Sequence, residues 1–258
     1  MLKIHKRLMR PVGRAIADFD MIREGDRVLL GVSGGKDSLS LLHILYQLQR
    51  HAPVQFELGA ITVDPMVEGF DPSTLRPHLE ALGTPWFYQR EPILDRAMEH
   101  IDGDSYCSWC ARMKRGVMYA TARREGYNVL ALAQHLDDFA ESFLMSAFHG
   151  GRLKTMKAHY TISAGDLRVI RPLVYVRERQ TRDFAAAAGL PVIFDSCPSC
   201  FSMPTQRQHM KELLNAEERL NPYLFKSLLS TLRPLINIEE ANEDIFTHKI
   251  NKMNHSHR

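Results

Sequence analysis

The residues with the clearest chemical meaning are Ser33-Gly34-Gly35-Lys36-Asp37-Ser38 and two C-x-x-C pairs, Cys107-Ser-Trp-Cys110 and Cys197-Pro-Ser-Cys200. The first group follows an apolar run from Val28 and precedes the periodic stretch Leu39 to Leu48, so it predicts a strand, a turn and a helix N-terminus. Glycines there let backbone N–H groups approach an anion, the helix end adds a partial positive charge, and Lys36 supplies a full one. This is phosphate chemistry, and therefore nucleotide chemistry. The two pairs use all 4 cysteines of the chain. With no apolar secretory segment near the N-terminus, paired thiols point to metal or redox chemistry rather than a disulfide scaffold. A closed four-cysteine zinc site fits the spacing. So does an iron–sulfur cluster held by three cysteines, with one iron open to an exogenous sulfur, and so does a thioredoxin-like dithiol.

The elements that must position these groups are legible as alternating apolar runs and helical patterns, the mark of a parallel sheet covered by helices. Strands are expected at Phe56 to Val63, Pro85 to Tyr88, Asn128 to Ala133, Val169 to Leu173 and Val192 to Phe194. Helices are expected at Asp71 to Leu82, Arg112 to Glu125, Asp138 to Phe148 and Arg177 to Ala188, with a helical stretch from Gln206 and a polar end from Asn237. The predicted fold is α/β, a doubly wound, mostly parallel sheet with small helical N- and C-terminal additions. Three units are expected: a basic helical segment over 1–24, a nucleotide-binding domain carrying the cysteines over 25–200, and a helical extension over 201–258. Ligands of such sheets bind beyond the carboxyl ends of the strands. There the chain places the loop Ser33 to Ser38, Asp64, and the run Gln134-His135-Leu136-Asp137-Asp138. Asp37 together with Asp137 or Asp138 is expected to hold Mg²⁺ on phosphates, and Asp138 also suits a helix cap. His135 is expected to contact nucleotide or substrate.

At 258 residues and 45% hydrophobic, the chain can bury a sizeable core. No run is long and apolar enough for a membrane span, so a cytoplasmic enzyme is expected. The net charge of +3 is modest, but its distribution is not. Lys3, Lys6, Arg7, Arg10 and Arg14 open the chain, Arg112, Lys114, Arg115, Arg123 and Arg124 follow the first cysteine pair, and Arg152, Lys154 and Lys157 follow Gly150-Gly151. Solvated helix faces account for any one cluster; together they suit a phosphate backbone, with RNA the favoured reading.

The loop is neither a Walker A motif, because Leu30 and Asp37 stand where glycine and Ser/Thr would be needed, nor a dinucleotide G-x-G-x-x-G. It resembles the PP-loop of the N-type ATP pyrophosphatases, which have the adenine nucleotide alpha hydrolase-like fold and cleave ATP between its α- and β-phosphates to adenylate a substrate. Beyond the loop, in order, stand Lys6-Arg-Leu, Gly13-Arg-Ala-Ile-Ala-Asp-Phe-Asp-Met-Ile22 and Glu24-Gly-Asp-Arg27. Cys107-Ser-Trp-Cys110-Ala-Arg112-Met-Lys114-Arg115-Gly, Gly150-Gly-Arg152-Leu-Lys154, Val169-Ile-Arg171-Pro-Leu173 and Arg177-Glu178 follow. From about Lys6 to about Leu214 the chain is similar to the tRNA 2-thiocytidine synthetase family.

That resemblance implies an ATP-dependent tRNA sulfurtransferase that makes 2-thiocytidine at position 32 of the anticodon loop. It implies an adenylated cytidine intermediate, Mg²⁺, and a 4Fe-4S cluster that holds the incoming sulfide. Cys107, Cys110 and Cys200 are the implied cluster ligands, with Cys197 the alternative to Cys200, and a cysteine desulfurase is the implied sulfur source. Lys36, Asp37, Asp138 and Cys200 are the implied catalytic residues. Ser33, Gly34, Gly35, Lys36, Asp37, Ser38, Asp64 and His135 would surround the nucleotide, and Arg112, Lys114, Arg115, Arg152 and Lys154 would grip tRNA. A homodimer would use the basic N-terminal helix and the C-terminal helices. The chain departs from the family pattern at Phe201, where glycine is usual, and at Ala133-Gln134-His135-Leu136-Asp137-Asp138, which lacks one histidine and an arginine. Two other functions therefore stay open: adenylation and thiolation of another tRNA base or a small molecule, and a zinc-containing RNA-binding protein without catalysis.

Overall fold

The computed structural model describes residues 2, 4–93, 106–193 and 205–237, with 106–108 described by backbone alone. In chain order the elements are α1 (Lys6–Asp18), β1 (Asp26–Gly31), α2 (Lys36–His51), β2 (Phe56–Asp64), α3 (Leu75–Leu82), β3 (Trp86–Arg90) and α4 (Tyr106–Arg124). They continue with β4 (Val129–Ala131), α5 (Leu136–Gly150), β5 (His159–Thr161), β6 (Arg168–Ile170), α6 (Glu178–Ala187), α7 (Gln206–Leu220) and α8 (Leu224–Asn237). Among the described residues, no helix is long and apolar enough to cross a membrane.

The strands form one sheet in the order β3-β2-β1-β4-β6-β5, parallel except for the β5–β6 pair. Parallel strands covered on both faces read as unbroken apolar runs, and Val28-Leu29-Leu30 and Val129-Leu130-Ala131 are fully buried. Alternate side chains enter opposite cores. Val28, Leu30, Val129, Ala131 and Ile170 join α1, α2 and α5 on one face, while Leu29, Leu130, Leu132 and Val169 meet α4 on the other. Gly59 of β2 marks the tightest approach, since a Cβ there would lie 2.2 Å from the Tyr127 hydroxyl. At the amino edge Asp26 ties the layers, accepting from Asn128 Nδ2 at 2.9 Å, from the Arg23 backbone N–H at 2.7 Å, and from Arg168.

Helix α1 buries Leu8, Val12 and Ala15 in the sheet's core and exposes Lys6, Arg7, Arg10 and Arg14. Pro11 inside it cannot donate to the Arg7 carbonyl. Gln180 Nε2 donates to that oxygen at 3.0 Å instead, pinning α1 to α6. Leu214 of α7 and Phe225, Leu232 and Ile236 of α8 also enter this core.

Several expected elements shift. The helix expected from Arg112 begins at Tyr106 and so includes the first cysteine pair. The helix expected from Asp71 begins at Leu75, because the Asp71 carboxylate accepts the Ser73 N–H at 2.9 Å and forms a local turn first. The late strand stops at Ile170, since Arg171-Pro172 turns the chain and the Val174 N–H bonds back to the Arg171 carbonyl at 3.1 Å. Val192 and Ile193 are not in a strand, because the Ile193 N–H donates to the Gly34 carbonyl at 2.9 Å rather than to a sheet neighbour. Strand β5, antiparallel at the edge, was not anticipated.

Candidate nucleotide and cysteine site at the switch point

The order of the sheet reverses at β1 and β4, whose successors go to opposite sides, so a crevice opens beyond the carboxyl ends of these two strands. The loop Ser33–Ser38 leaves β1 at one wall and Gln134–Asp138 leaves β4 at the other. Gly34 has φ +87°, and a Cβ there would lie 2.7 Å from Ile193 Cδ1, so both its conformation and its surroundings demand glycine. Gly35 is the N-cap of α2 and offers no side-chain oxygen, which leaves backbone donors at this helix end for a ligand. The hydroxyls turn inward: Ser38 Oγ donates to the Gly35 carbonyl at 2.9 Å, and Ser33 Oγ accepts the Gly35 N–H at 3.3 Å.

Lys36 Nζ sits 3.1 Å from Asp37 Oδ2 and 2.9 Å from Glu178 Oε1. Burial works against its charge, yet Asp37 and Glu178 raise its pKa above the ordinary lysine value. The other Asp37 oxygen accepts from Thr181 Oγ1. His135 Nε2 lies 3.8 Å from Asp37 Oδ2, which joins the two walls. His135 is the N-cap of α5: its Nδ1 accepts the Asp138 N–H at 3.4 Å, and the Asp138 carboxylate reaches back to the His135 N–H at 2.9 Å. Asp138 is thus the third helical residue of this capping box rather than the cap itself. Asp137 is fully engaged, accepting from Arg177 Nη2 at 3.0 Å and from the Glu178 N–H at 2.8 Å.

Other residues close the crevice through contacts that no local sequence pattern reveals. Glu178 Oε2 pairs with Lys211 Nζ of α7 at 2.7 Å. Burial opposes its ionisation, but Lys211 and Lys36 together hold its carboxyl down to about 2. Arg177 bridges Asp137 to Glu218 Oε1 at 2.6 Å and lies over the Phe225 ring, 3.2 Å from its centroid. Arg207 Nη1 reaches Asp138 at 3.2 Å and buried Glu141 at 3.4 Å. Glu178 directly follows Arg177 in the sequence, but its contact to Lys36 spans 142 residues, a distance no periodicity can reveal.

Asp64 ends β2 on the same edge of the sheet, but its carboxylate is occupied by the Tyr88 hydroxyl and by the Met66 N–H at 2.7 Å. Burial and that carboxylate push the Tyr88 phenol up to about 12. The residues converge on Lys36, Asp37, His135 and Asp138; Asp64 stays one strand away.

The first cysteine pair rises over the same edge. The end of α4 lies at the amino edge, where Arg27 Nη1 donates to the Glu125 and Gly126 carbonyls at 3.0 Å. Met118, further back along α4, packs on Gly31 at the end of β1. Cys110 is eight positions before Met118, about 12 Å further along the helix axis and beyond the strand ends. It is half-buried beside Trp109 and Met113. Cys107 is one turn earlier. Cys197 and Cys200 lie outside the described residues, but the described chain on either side of them is anchored at the crevice, by Ile193 on Gly34 and by Arg207 on Asp138.

Of the expected RNA contacts, Arg112 is exposed on α4, with Lys114 and Arg115 half-buried. Arg152 and Lys154 are exposed beyond α5, alongside Phe148 and Leu153, which are 60% and 72% exposed. A separate cavity of about 420 Å³ is lined by His43, Tyr46, Gln47, His78 and Leu190, none of which belongs to the crevice. Burial and the neighbouring His78 push the His43 imidazole down to about 4.

A PP-loop domain model matches residues 4–216. The chain is 46% identical over 231 residues to the tRNA-cytidine(32) 2-sulfurtransferase of Geobacter metallireducens, spanning 89% of this chain and 90% of that one. It is 40% identical to the enzyme of the same name from Syntrophotalea carbinolica, with 89% of each chain covered. Among solved structures it is similar to the U34-tRNA thiolase NcsA from Methanococcus maripaludis with its [4Fe-4S] cluster. That match has a TM-score of 0.71 and 22% identity, and covers 92% of this chain and 80% of that one; at this identity the likeness establishes the fold.

Proposed function

The chain belongs to the PP-loop family and, within it, to the tRNA-cytidine(32) 2-sulfurtransferases, and from that premise we propose that it is an ATP-dependent enzyme that makes 2-thiocytidine at position 32 of tRNA. The observation that carries this reading is the placement of Lys36 and Asp37 in a phosphate-type loop at the switch point, under the edge from which Cys107 and Cys110 rise. The cytidine C2 oxygen is a poor leaving group. Attack of that oxygen on the α-phosphate of ATP forms an O-adenylate and releases pyrophosphate into the Ser33–Ser38 loop, where the backbone donors of α2 and Lys36 neutralise the leaving charge. Asp37 would hold Mg²⁺ on the phosphates, with Asp138 and His135 across the crevice, and Asp64 would meet the nucleoside end of ATP.

Two cysteines three positions apart on one helix, with a second pair attached through crevice-anchored chain, form a donor set that suits an iron–sulfur cluster. Cys107, Cys110 and Cys200 would hold it, with Cys197 as the alternative to Cys200, and when bound it supplies an open iron position for sulfide. A cysteine desulfurase would provide the sulfur. Arg112, Lys114, Arg115, Arg152 and Lys154 would grip the tRNA backbone while the base is splayed into the crevice. We assign the nucleotide chemistry to the unit 25–200, flanked by the helical segments 1–24 and 201–258; a cytoplasmic location and a homodimer belong to the same reading.

Nucleoside mass spectrometry of total tRNA, with and without this gene, tests the assignment. The expected result is loss of 2-thiocytidine, restored by the wild-type gene but not by Cys107→Ala. Persistence of 2-thiocytidine with loss of another thiolated nucleoside would move the assignment to that base, and an unchanged nucleoside profile would overturn RNA thiolation altogether.

A further inference from the structure

We propose that Glu178 and Lys211 form a counter-ion relay through which nucleotide in the Ser33–Ser38 loop acts on α7, the helix that follows the second cysteine pair. The inference rests on the ATP reading above and adds positioning residues to it.

One carboxylate bridges two ammonium groups: Glu178 Oε1 lies 2.9 Å from Lys36 Nζ, and Oε2 lies 2.7 Å from Lys211 Nζ. A polyphosphate that engages Lys36 takes it from Glu178 and leaves that charge to Lys211 alone. The carboxylate cannot follow Lys36 by moving its backbone. The Glu178 N–H is bound to Asp137 at 2.8 Å, and Thr181 in the same helix is bound to Asp37. The adjustment therefore passes through the side chain to Lys211. Four residues earlier in α7, Arg207 pairs with Asp138 and Glu141, so the start of this helix is held by crevice carboxylates at two points. Cys200 precedes α7 by six positions, and the chain before the pair is tied at Ile193 to Gly34 of the nucleotide loop. Both flanks of the second pair are thus tied to the nucleotide crevice, and the relay through Lys211 would make the α7 flank, and with it sulfur delivery, responsive to nucleotide.

The test is a double-mutant cycle on affinity for the non-cleavable α,β-methylene analogue of ATP, measured by calorimetry with Mg²⁺ on the full chain. Glu178→Gln leaves Lys36 paired with Asp37 alone and is expected to tighten binding about three- to fivefold, the upper part of the range for a partly exposed ion pair. Lys211→Met gives Lys36 the undivided charge of Glu178 and is expected to weaken binding by a similar factor. The double variant is expected to match Glu178→Gln. Hydrogen exchange in residues 206–214 is expected to change on analogue binding in wild type and not in Glu178→Gln.

A Lys211→Met effect that is equal in both backgrounds, weaker binding by Glu178→Gln, or an α7 response that survives Glu178→Gln would overturn the relay and leave a structural brace. Should Glu178→Gln fold poorly, the exchange response of residues 206–214 in Lys211→Met decides: the relay requires that analogue binding no longer changes it, and a response that survives overturns the relay. Absence of analogue binding by wild type would overturn the ATP reading and the relay with it, whereas intact binding with an additive cycle overturns the relay alone.

Discussion

Glu141 offers a prediction whose size follows from its surroundings. Its side chain is 5% exposed, and its ion-pair partner, Arg207 Nη1, is at 3.4 Å and shared with Asp138. Burial first, and then the charge of Asp138, lift its carboxyl from 4.5 to about 7. The folded protein then holds this proton more tightly than the unfolded chain does. Stability falls as pH rises from the unfolded value towards 7, and the full cost is present above it. At roughly 1.4 kcal/mol per pH unit, ionised Glu141 costs about 3 kcal/mol of stability near pH 8 and about 1 kcal/mol near pH 5. Glu141→Gln keeps the size and an acceptor for Arg207 but removes the ionisation. The variant is therefore expected to exceed wild type by up to about 3 kcal/mol at pH 8, with the gain shrinking as pH falls. Urea unfolding of both proteins between pH 5 and pH 8, at equal iron content, reads the difference directly. A gain that does not vary with pH, or a variant less stable at pH 8, would refute the reasoning.

Gly34→Ala adds a Cβ against Ile193 at a φ of +87°; it is expected to cost about 1–3 kcal/mol in thermal or urea unfolding and to weaken nucleotide binding. Lys114→Ala and Arg115→Ala are each expected to weaken tRNA binding and lower the salt slope of log K by about 1, measured by filter binding across a salt series; an unchanged slope removes the residue from the interface. Iron and sulfide analysis after anaerobic purification is expected to find Cys107→Ala, Cys110→Ala and Cys200→Ala depleted and Cys197→Ala loaded. The reverse result for the last two would make Cys197 the third ligand, and a colourless zinc protein would support binding without catalysis.

The PP-loop and the elements around it were legible because their signals are local. A parallel strand covered on both faces must be apolar throughout, a loop that binds anions with its backbone needs glycine, and the adjoining helix shows its period within a few turns. Shorter-range competition blurred the boundaries. Asp71 drew the chain into a turn before α3, Pro172 ended β6 early, and α4 ran back through the first cysteine pair. Tertiary structure decided which charges meet. Lys36 with Glu178, Glu178 with Lys211, Arg177 with Asp137 and Glu218, and Arg207 with Glu141 join helices far apart in sequence. A charged residue on a helix reads the same whether it faces water or a partner, so the chain by itself named the chemistry, while the packing of α6 and α7 over the crevice set the counter-ions and the proton affinities of the groups that serve it.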